Sequence, residues 1–597
     1  MKNLKKYLYF LTPHERKRAV LLLIIILIMA ILDTIGVASI LPFITILTNP
    51  SLIETNNILK NLFQASDIIG VKTEKDFLFT LGILVFVLLV FSLAFKAFTT
   101  YVQTRFIHML DYSIGKRLLE GYLSQPYSWF LNRNSAELGK NIFSEVGVII
   151  GHGISPIINL IAQSMIIIAL LALLFLTDPK LTLIIGFSFG LMYGLIYKST
   201  RNFLRRIGKE RFLANQSRYA VISEVFGASK EVKISGLEQT YVKRFSNSAL
   251  IFSKHQASSD VLNQLPRYAL EAISFGGMLL VILYLMSKSG NFSTAIPIIA
   301  LYAFAGYRMI PASQRIYVAI SQLRFSSTSI ENIYEDLKSS KETKELNKDQ
   351  NILQINKVIS LKQIYYNYPN TTRAALKNIN LNIPVKTTVG LVGTTGSGKT
   401  TTVDIILGLL EAQRGTLEVD GQVITGNNCR AWQRSIGYVP QYIYLADDTV
   451  AANIAFGREP KDIIQKDIER AAKIANLHEF VMKELPKQYQ TTIGERGVRL
   501  SGGQRQRIGI ARALYHSPQV LILDEATNAL DNLTEKAVMD AVNNLSKDIT
   551  IILIAHRLNT VKNCDIIFKL EKGQLINQGT FDEIIKVNDI PELFDKN

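Results

Sequence analysis

The chain has 597 residues, of which 48% are hydrophobic and only 19% are charged. Soluble globular proteins carry about 25% charged residues, so a large part of this chain is expected to lie in lipid, and a disordered protein is excluded. Two cysteines, Cys429 and Cys564, cannot make a disulfide framework, and without a CxxC spacing they do not indicate a structural zinc site. The net charge of +17 favours basic cytoplasmic loops, with an anionic substrate as the alternative. No long basic tract or nucleic-acid motif occurs, so nucleic acid is not an expected partner.

Six apolar runs precede residue 320. They are 19–47, 77–98, 154–176, 181–197, 268–286 and 292–310. A membrane-spanning helix needs about 20 apolar residues, so we predict an α-helical domain of six transmembrane helices over residues 1–335. The first run is too long for a signal peptide and is expected to stay in the mature protein.

The distribution of Lys and Arg orients these helices. Residues 1–18 hold six of them and residues 198–266 hold twelve, whereas residues 50–76 hold three beside four acids. Basic loops stay in the cytoplasm, so both termini and the loops 99–145 and 198–266 are predicted to be cytoplasmic. The outward turns, 177–180 and 287–291, are short, so the helices should extend into the cytosol. Within the outer loop, 59–69 predicts a short helix, which either lies on the outer leaflet or packs as an ordinary surface helix.

The composition becomes that of a soluble protein after a linker at 336–350. In the domain predicted for 351–597, short β-branched runs alternate with helical ones, for example at 387–392, 400–410, 520–523 and 549–554. This alternation predicts an α/β domain with a largely parallel sheet.

A glycine-rich segment, GTTGSGKT at 393–400, lies between a strand and a helix in this pattern. It matches G-x-x-x-x-G-K-[ST], whose backbone N–H groups surround phosphates at a helix N-terminus. Lys399 should then reach the β- and γ-phosphates of a nucleotide, and the Thr400 hydroxyl should bind Mg²⁺. This P-loop predicts ATP and Mg²⁺ as cofactors.

Two further motifs follow along the chain. The apolar strand VLIL ends in Asp524 and Glu525, which suit Mg²⁺ binding (through water for Asp524) and the orientation of the attacking water. LSGGQ at 500–504 precedes a helical stretch at 505–515 and forms a second candidate phosphate-facing N-terminus.

Together the three motifs resemble the nucleotide-binding domain of ABC transporters. The resemblance implies further roles: Tyr368 stacks on adenine, with Tyr366 as a competitor, Gln441 links Mg²⁺ and water to the membrane domain, and His556 senses the γ-phosphate. It implies catalytic roles for Glu525, His556 and Gln441, and metal binding by Thr400, Gln441 and Asp524. The full ATP-binding set is Tyr368, Gly393, Thr394, Thr395, Gly396, Ser397, Gly398, Lys399, Thr400, Thr401, Gln441, Ser501, Gly502, Gly503, Gln504, Asp531 and His556.

Over its whole length the chain is similar to ABC half-transporters of the type IV exporter fold, with a six-helix domain ahead of an α/β P-loop domain. In that family LSGGQ closes on ATP held by the opposite subunit, so the resemblance implies a homodimer with two competent ATP sites, in the bacterial inner membrane.

Lys96, Arg267 and Arg308 are candidate substrate residues, because ionisable residues at membrane depth usually face a cavity or a partner. Snorkelling is the alternative for Lys96 and Arg267, and a Glu271–Arg pair is another. An unpaired Arg308 would cost about 2.5–3.5 kcal/mol, which predicts a compensating anion.

Residues 35–44, 265–271 and 301–311 resemble stretches of bacterial flippases that move an oligosaccharide on an undecaprenyl pyrophosphate. A polyprenyl-diphosphate-linked oligosaccharide is therefore the expected substrate. A drug, lipid A-type lipid or peptide exporter is the alternative, and an ATP-gated channel or regulator is the alternative of another class.

Overall fold

The structure is a computed structural model, and it describes residues 2–50, 53, 57–66, 71, 73–289, 292–341, 352–369, 371, 373–526, 532–545, 548–555 and 561–586. The chain divides into two compact units. Unit 1 comprises Met1–Gln125 and Arg133–Thr343, and unit 2 comprises Pro126–Asn132 and Lys344–Asn597.

The described elements of unit 1 are helices, with π-helical turns at Asn141–Glu145 and Ile150–Ile154. The α-helices are α1 (Lys2–Phe10), α2 (Pro13–Ala38), α3 (Ile40–Thr48), α4 (Asn57–Ser66), α5 (Glu74–Leu123), α7 (Ser135–Lys140), α8 (Val146–Ile149), α9 (Ser155–Thr177), α10 (Pro179–Gly227), α11 (Ser229–Ile234), α12 (Glu238–Ser289), α13 (Phe292–Phe325) and α14 (Ser327–Lys341); α6 (Tyr127–Phe130) belongs to unit 2.

Four of the predicted membrane helices are confirmed as long and apolar enough to cross a bilayer, within the part of the chain that the structure describes. They are Pro13–Thr48, Glu74–Leu123, Ser135–Thr177 and Pro179–Gly227. The fifth and sixth apolar runs are helical, in α12 and α13, and their spanning of the membrane stays a prediction. At 1.5 Å per residue, the 50 residues of α5 reach about 75 Å, more than twice the bilayer core, so α5 is long enough for the predicted extension, whose position in the cytosol stays a prediction.

Local sequence sets the helix ends. Thr12 and Glu15 form a capping box at the start of α2. The tight turn between α9 and α10 uses Asp178, whose carboxylate accepts from the backbone N–H of Lys180 and Leu181 at 3.0 and 3.2 Å, with Pro179 in the first turn. The N-cap of α10 therefore stabilises the short turn that the sequence predicts at 177–180.

The outer-loop helix is confirmed as α4, although residues 67–69 of the predicted range lie outside the described residues. Leu59 is buried in a cluster with Ile46, Ile53, Val71, Phe77 and Leu81. Phe63 makes an edge contact with Phe77, with ring centroids 5.2 Å apart. The apolar side of α4 therefore packs on protein, which favours the ordinary packed helix over one lying on lipid.

Unit 2 contains two sheets. The strands are β1 (Val358–Tyr366), β2 (Leu376–Pro384), β3 (Thr388–Val392), β4 (Arg414–Val419), β5 (Gln422–Val423), β6 (Ile436–Val439), β7 (Val520–Asp524), β8 (Thr550–Ile554), β9 (Ile566–Glu571) and β10 (Gln574–Gly579). The six-stranded sheet has the order β10-β9-β3-β8-β7-β6 and is parallel except for β10, which confirms the predicted largely parallel sheet. The four-stranded antiparallel sheet, β2-β1-β4-β5, was not foreseen.

Besides α6, unit 2 contains eight helices among its described residues. They are α15 (Lys399–Ile406), α16 (Cys429–Gln433), α17 (Val450–Ile454), α18 (Gln465–Ile474), α19 (His478–Glu484), α20 (Gly502–Leu514), α21 (Asn532–Leu545) and α22 (Phe581–Lys586), with 3-10 turns at Pro460–Asp462, Gln488–Gln490 and Glu495–Gly497. The central strands β3, β7 and β8 are buried along their full length, as parallel strands covered on both faces must be.

The predicted domain limits, 335 and 351, stay a prediction. Helix α14 runs to Lys341 and so includes the first residues of the predicted linker, while 342–350 lie outside the described residues.

Candidate functional site

Three parallel strands of unit 2 bring the predicted nucleotide residues to one edge of the sheet. In the register, Leu391 of β3 and Asp524 of β7 both pair with Ile554 of β8. The loop after β3, which begins at Gly393, and the carboxylate at the end of β7 therefore meet at the carboxyl edge, where α/β sheets bind ligands.

Two glycines of the P-loop occupy positions where a side chain would clash with the backbone or strain it. A Cβ on Gly393 would lie 2.2 Å from the Leu570 carbonyl oxygen. Gly398 has φ 105°, in the left-handed region, and directly precedes α15. These residues let the loop curl back over the helix N-terminus, which is the arrangement that binds phosphate.

Lys399 lies across the mouth of this loop. Its buried ammonium donates to the carbonyl oxygens of Gly393 at 2.7 Å and Thr394 at 3.2 Å. Burial lowers the pKa of Lys399, and the charges of Glu525 and Asp524 act in the opposite direction. An ammonium held by neutral carbonyl groups in a buried position is electrostatically favourable for an incoming phosphate.

The P-loop also has polar atoms available for a ligand. Ser397 is buried, and its hydroxyl makes no hydrogen bond within the part of the chain that the structure describes. Such an orphaned group is rare in folded proteins, and a phosphate oxygen at the loop would satisfy it. The Thr400 hydroxyl lies at the first turn of α15 on an exposed residue, where a cation could reach it.

Asp524 lies among other acidic and phenolic groups. The Tyr438 hydroxyl donates to its carboxylate at 3.4 Å. Burial, and then the charge of Asp524, raise the pKa of Asp404 on α15 to about 6. Asp404 and Tyr438 were not singled out from the sequence, because neither belongs to a phosphate-binding pattern.

Glu525 faces a cleft of about 410 Å³ whose lining includes Gln441, Gly502, Arg505 and Gln506. The Gln441 side-chain amide donates to the Glu525 carboxylate at 2.7 Å. Glu525 has φ 50°, a conformation that a non-glycine residue adopts only where its surroundings require it. The structure thus brings these two predicted catalytic residues together beside the LSGGQ segment of the same chain.

The LSGGQ segment begins α20 with a capping box. The Ser501 hydroxyl accepts from Gln504 N–H at 3.2 Å, and the Gln504 side chain accepts from Ser501 N–H at 2.8 Å. The following glycines occupy the first turn, where free N–H groups and the helix dipole favour anions. The predicted helix at 505–515 is confirmed, beginning three residues earlier.

Tyr368, the predicted adenine-stacking residue, lies beside the P-loop helix. Its hydroxyl is 3.1 Å from the Thr401 hydroxyl. Its ring makes an edge contact with Tyr366, with centroids 5.2 Å apart. Tyr366 is buried and Tyr368 is half-buried, so Tyr368 has the more accessible ring. Two other predicted ATP-site residues, Asp531 and His556, lie outside the described residues.

In unit 1 the membrane-depth charges form a cluster that the sequence did not reveal. Arg308 Nη1 lies 3.1 Å from Asp33 Oδ1, and Lys96 Nζ lies 3.9 Å from Asp33 Oδ2. The Ser92 hydroxyl donates to Asp33 Oδ1 at 3.5 Å. We call these four residues the Asp33 cluster. Arg308 is therefore compensated within the chain, because a buried carboxylate on α2 pairs with it, and its role in substrate binding stays a prediction.

The third candidate, Arg267, pairs with a residue outside the Asp33 cluster. Its Nε donates to Glu271 Oε1 at 2.8 Å, one turn along α12, and both side chains are exposed in a single chain. This is the local Glu271–Arg pair that was the alternative to a substrate role.

Known proteins resemble the chain over both units. Residues 376–528 match the family model described as ABC transporter, and residues 19–308 match ABC transporter transmembrane region. An ATP-dependent lipid A-core flippase of Cupriavidus pinatubonensis is 32% identical over 476 residues, which are 79% of this chain and 80% of the relative. A flippase of the same name from Aliivibrio fischeri is 29% identical over 79% of this chain and 80% of its own.

A solved structure, of a bacterial Atm1-family ABC exporter with ATP bound, has a TM-score of 0.77 and covers 96% of each chain at 21% identity. At that identity the likeness shows the fold alone, a helical membrane part followed by an α/β part.

Proposed function

The chain belongs to the ABC transporter family and is an ATP hydrolase coupled to transport, and from that premise we propose that it flips a lipid with a phosphate-containing head group across the bacterial inner membrane. The observation that carries this proposal is the Asp33 cluster, in which cations on α5 and α13 lie against one carboxylate on α2, all within the predicted apolar runs. Charges at such depth are costly and commonly mark a substrate path.

Two lipids fit this head-group chemistry. A polyprenyl-diphosphate-linked oligosaccharide is supported by the resemblance of residues 35–44, 265–271 and 301–311 to flippases of such lipids. A lipid A-type glycolipid is supported by the names of the relatives at about 30% identity. Both carry phosphate on a long apolar anchor, and of the two we favour the polyprenyl diphosphate.

ATP hydrolysis would use the residues at the carboxyl edge of the sheet. Lys399 would exchange its two carbonyl partners for β- and γ-phosphate oxygens, with the N–H groups of the P-loop around them. Glu525 would orient a water molecule for attack on the γ-phosphate, and Gln441, bonded to it, would position that carboxylate. His556 and Asp531 keep their proposed roles from the family resemblance.

The predicted donor residues support Mg²⁺ as the cofactor that accompanies ATP. Thr400, Asp524 and Gln441 offer oxygen ligands, which Mg²⁺ prefers, and phosphate oxygens would supply others. Among the described residues no group of three or more His, Cys, Asp or Glu side chains could hold a metal by itself. A cation that depends on the nucleotide for part of its shell is consistent with both observations.

One P-loop and one LSGGQ segment in a chain leave each ATP site half complete, so we propose a homodimer. The basic loops support an orientation with the nucleotide-binding domain and both termini in the cytoplasm.

The direct test is reconstitution of the purified protein in proteoliposomes with fluorescent lipid-linked oligosaccharide, fluorescent lipid A, a peptide and a cationic drug. ATP-dependent movement of a phosphate-bearing lipid, with ATPase stimulated by the same lipid, supports the proposal. Movement of the drug or peptide alone would contradict it. ATP-gated flux of ions down a gradient, without lipid movement, would instead support a channel.

A further inference from the structure

Asp33 is a buried acid in the second half of α2, which belongs to a helical segment, Pro13–Thr48, long and apolar enough to cross a membrane. In a single chain it is 3% exposed, whereas its partners Arg308 and Lys96 are 18% and 32% exposed. The apolar side chains of Met29, Ala30 and Val37 flank it on the same helix and are themselves buried. An incoming ligand can therefore contact the two cations but has little access to the carboxylate.

A glycine on α2 allows this carboxylate to lie close to α5. Gly36 lies one turn after Asp33, and a Cβ there would be 3.3 Å from Leu89 Cδ2 and 3.9 Å from Ser92 Cβ. The missing side chain allows α2 and α5 to approach at this level. Ser92 and Lys96, four residues apart, then present a hydroxyl and an ammonium to Asp33 from one face of α5.

Each carboxylate oxygen of Asp33 faces a different cation. Oδ1 faces Arg308 and Oδ2 faces Lys96, so one acid holds groups from two other helices in a fixed spacing. With Asp33 ionised and both partners protonated, the cluster carries one excess positive charge. Arg315, exposed and two turns further along α13 than Arg308, is another cation on the same helix.

We propose that Asp33 is a specificity-determining residue that acts as an internal counter-ion: it positions Lys96 and Arg308 for a phosphate-bearing head group and limits how tightly they hold it. This inference rests on the proposed function and adds the regulation of that site. With no acid, two desolvated cations would bind a phosphate strongly and release it slowly. With Asp33 in place, the anion competes with a permanent partner, so the site can load and unload in each cycle.

The proposal predicts opposite effects on binding and transport. Asp33→Asn raises the cluster charge from +1 to +2, so it should tighten binding of a phosphate-bearing lipid by about tenfold and make that binding more sensitive to salt. Turnover in transport should fall, because release slows. A variant that only disturbs packing would weaken binding and transport together, so tighter binding separates the two roles.

Charge-matched variants provide the control. Arg308→Gln lowers the cluster charge to 0, and Asp33→Asn/Arg308→Gln restores +1 with both partners changed. The double variant should bind more tightly than Arg308→Gln alone and close to wild type. Arg324 lies on α13, like Arg308, and donates a hydrogen bond to the Tyr197 hydroxyl outside the Asp33 cluster. Arg324→Gln should therefore bind the phosphate-bearing lipid as tightly as wild type does.

Binding is measured on the full-length dimer in detergent by native mass spectrometry, with undecaprenyl diphosphate, lipid A and phosphatidylcholine as separate probes. Preference for one of the first two identifies the lipid source. If wild type binds neither better than phosphatidylcholine, the proposed function fails. If wild type binds a phosphate lipid but Asp33→Asn binds no tighter, the counter-ion proposal fails while the function stands. Should Asp33→Asn not fold, the comparison of Arg308→Gln with the double variant decides, and equal affinities would overturn the proposal.

Discussion

Gln441 donates a 2.7 Å hydrogen bond to the carboxylate of Glu525. Gln441 follows β6 and Glu525 follows β7, and these strands are parallel neighbours whose carboxyl ends meet at one edge. The loop after β6 is thereby joined to the carboxylate that we propose to orient water. A change at either residue should alter hydrolysis before it alters the fold.

Glu525→Gln should bind ATP and lose most turnover. The amide keeps the volume and can still accept from Gln441, but it lacks the charge that orients and polarises water, a contribution of about 100-fold or more. Steady-state ATPase and ATP affinity of the purified variant check this, with the exposed Glu484→Gln as the matched control. ATPase near wild type in Glu525→Gln would remove this residue from the catalytic role.

Mixed dimers test the proposed composite site. One subunit with Lys399→Ala and a partner with Ser501→Arg place both lesions in one site and leave the other intact, so about half of the ATPase should remain if the sites act independently. A wild-type subunit paired with one carrying both substitutions has one lesion in each site and should be nearly inactive. Equal ATPase in these two dimers, which contain the same substitutions, would contradict a site shared between subunits.

The P-loop region could be predicted from sequence because its signals are local. A buried strand, a glycine loop and a helix follow one another directly, and the structure has β3, the loop and α15 in those places. The second sheet was missed because its pattern is interrupted. Register shifts occur between Leu361 and Ile364, and Gln363 has φ 51°, so the alternation that identifies a strand is broken in β1.

The Asp33 cluster could not be predicted, for a different reason. Asp33, Lys96 and Arg308 are far apart in the chain, and their contact depends on how α2, α5 and α13 pack. One sequence shows that each residue is unusual in an apolar run but does not show which opposite charges meet. Gly36 was a signal of close packing, yet a glycine in a membrane helix has many uses.

Asp404 should give unit 2 a pH-dependent stability. Its folded pKa, about 6, is above the ordinary value of 3.8, so the ionised carboxylate costs stability above pH 6, and this cost disappears as the pH falls toward 4. Asp404→Asn should raise the thermal midpoint of the nucleotide-free protein at pH 8, with a gain that shrinks progressively below pH 6. Thermal melts in detergent between pH 5 and 8 check this, and the exposed Asp462→Asn should show no such trend. A gain that is constant with pH would contradict the assignment.

Glu145 in unit 1 should be one of the most sensitive positions for stability. It is fully buried, pairs with Arg211 at 3.1 Å, and accepts from Ser329 at 2.6 Å and Asn215 at 2.9 Å. Glu145→Gln leaves Arg211 buried without its counter-ion, at a cost of about 3–5 kcal/mol. The exposed Glu238, paired with Lys233 at 3.0 Å, provides the control, because Glu238→Gln should leave the unfolding midpoint nearly unchanged. Urea unfolding followed by intrinsic fluorescence compares the two, and similar midpoints would contradict this ranking.

The two candidate substrate arginines should differ in transport. Arg308 is held by Asp33 near the middle of its helix, where a guanidinium can form charge-assisted, bidentate bonds with phosphate, whereas Arg267 is exposed and bonded to Glu271 one turn away. Arg308→Ala should therefore reduce ATP-dependent translocation of a labelled lipid-linked oligosaccharide by about tenfold or more, and Arg267→Ala should reduce it far less. Arg308→Lys should recover only part of the activity, because a point charge replaces a planar fork.

Translocation and ATPase are measured on the same proteoliposomes, so that a loss of hydrolysis is separated from a loss of cargo handling. Normal translocation by Arg308→Ala would remove the main support for an anionic cargo, and an exporter of uncharged hydrophobic substrates would then be the better account.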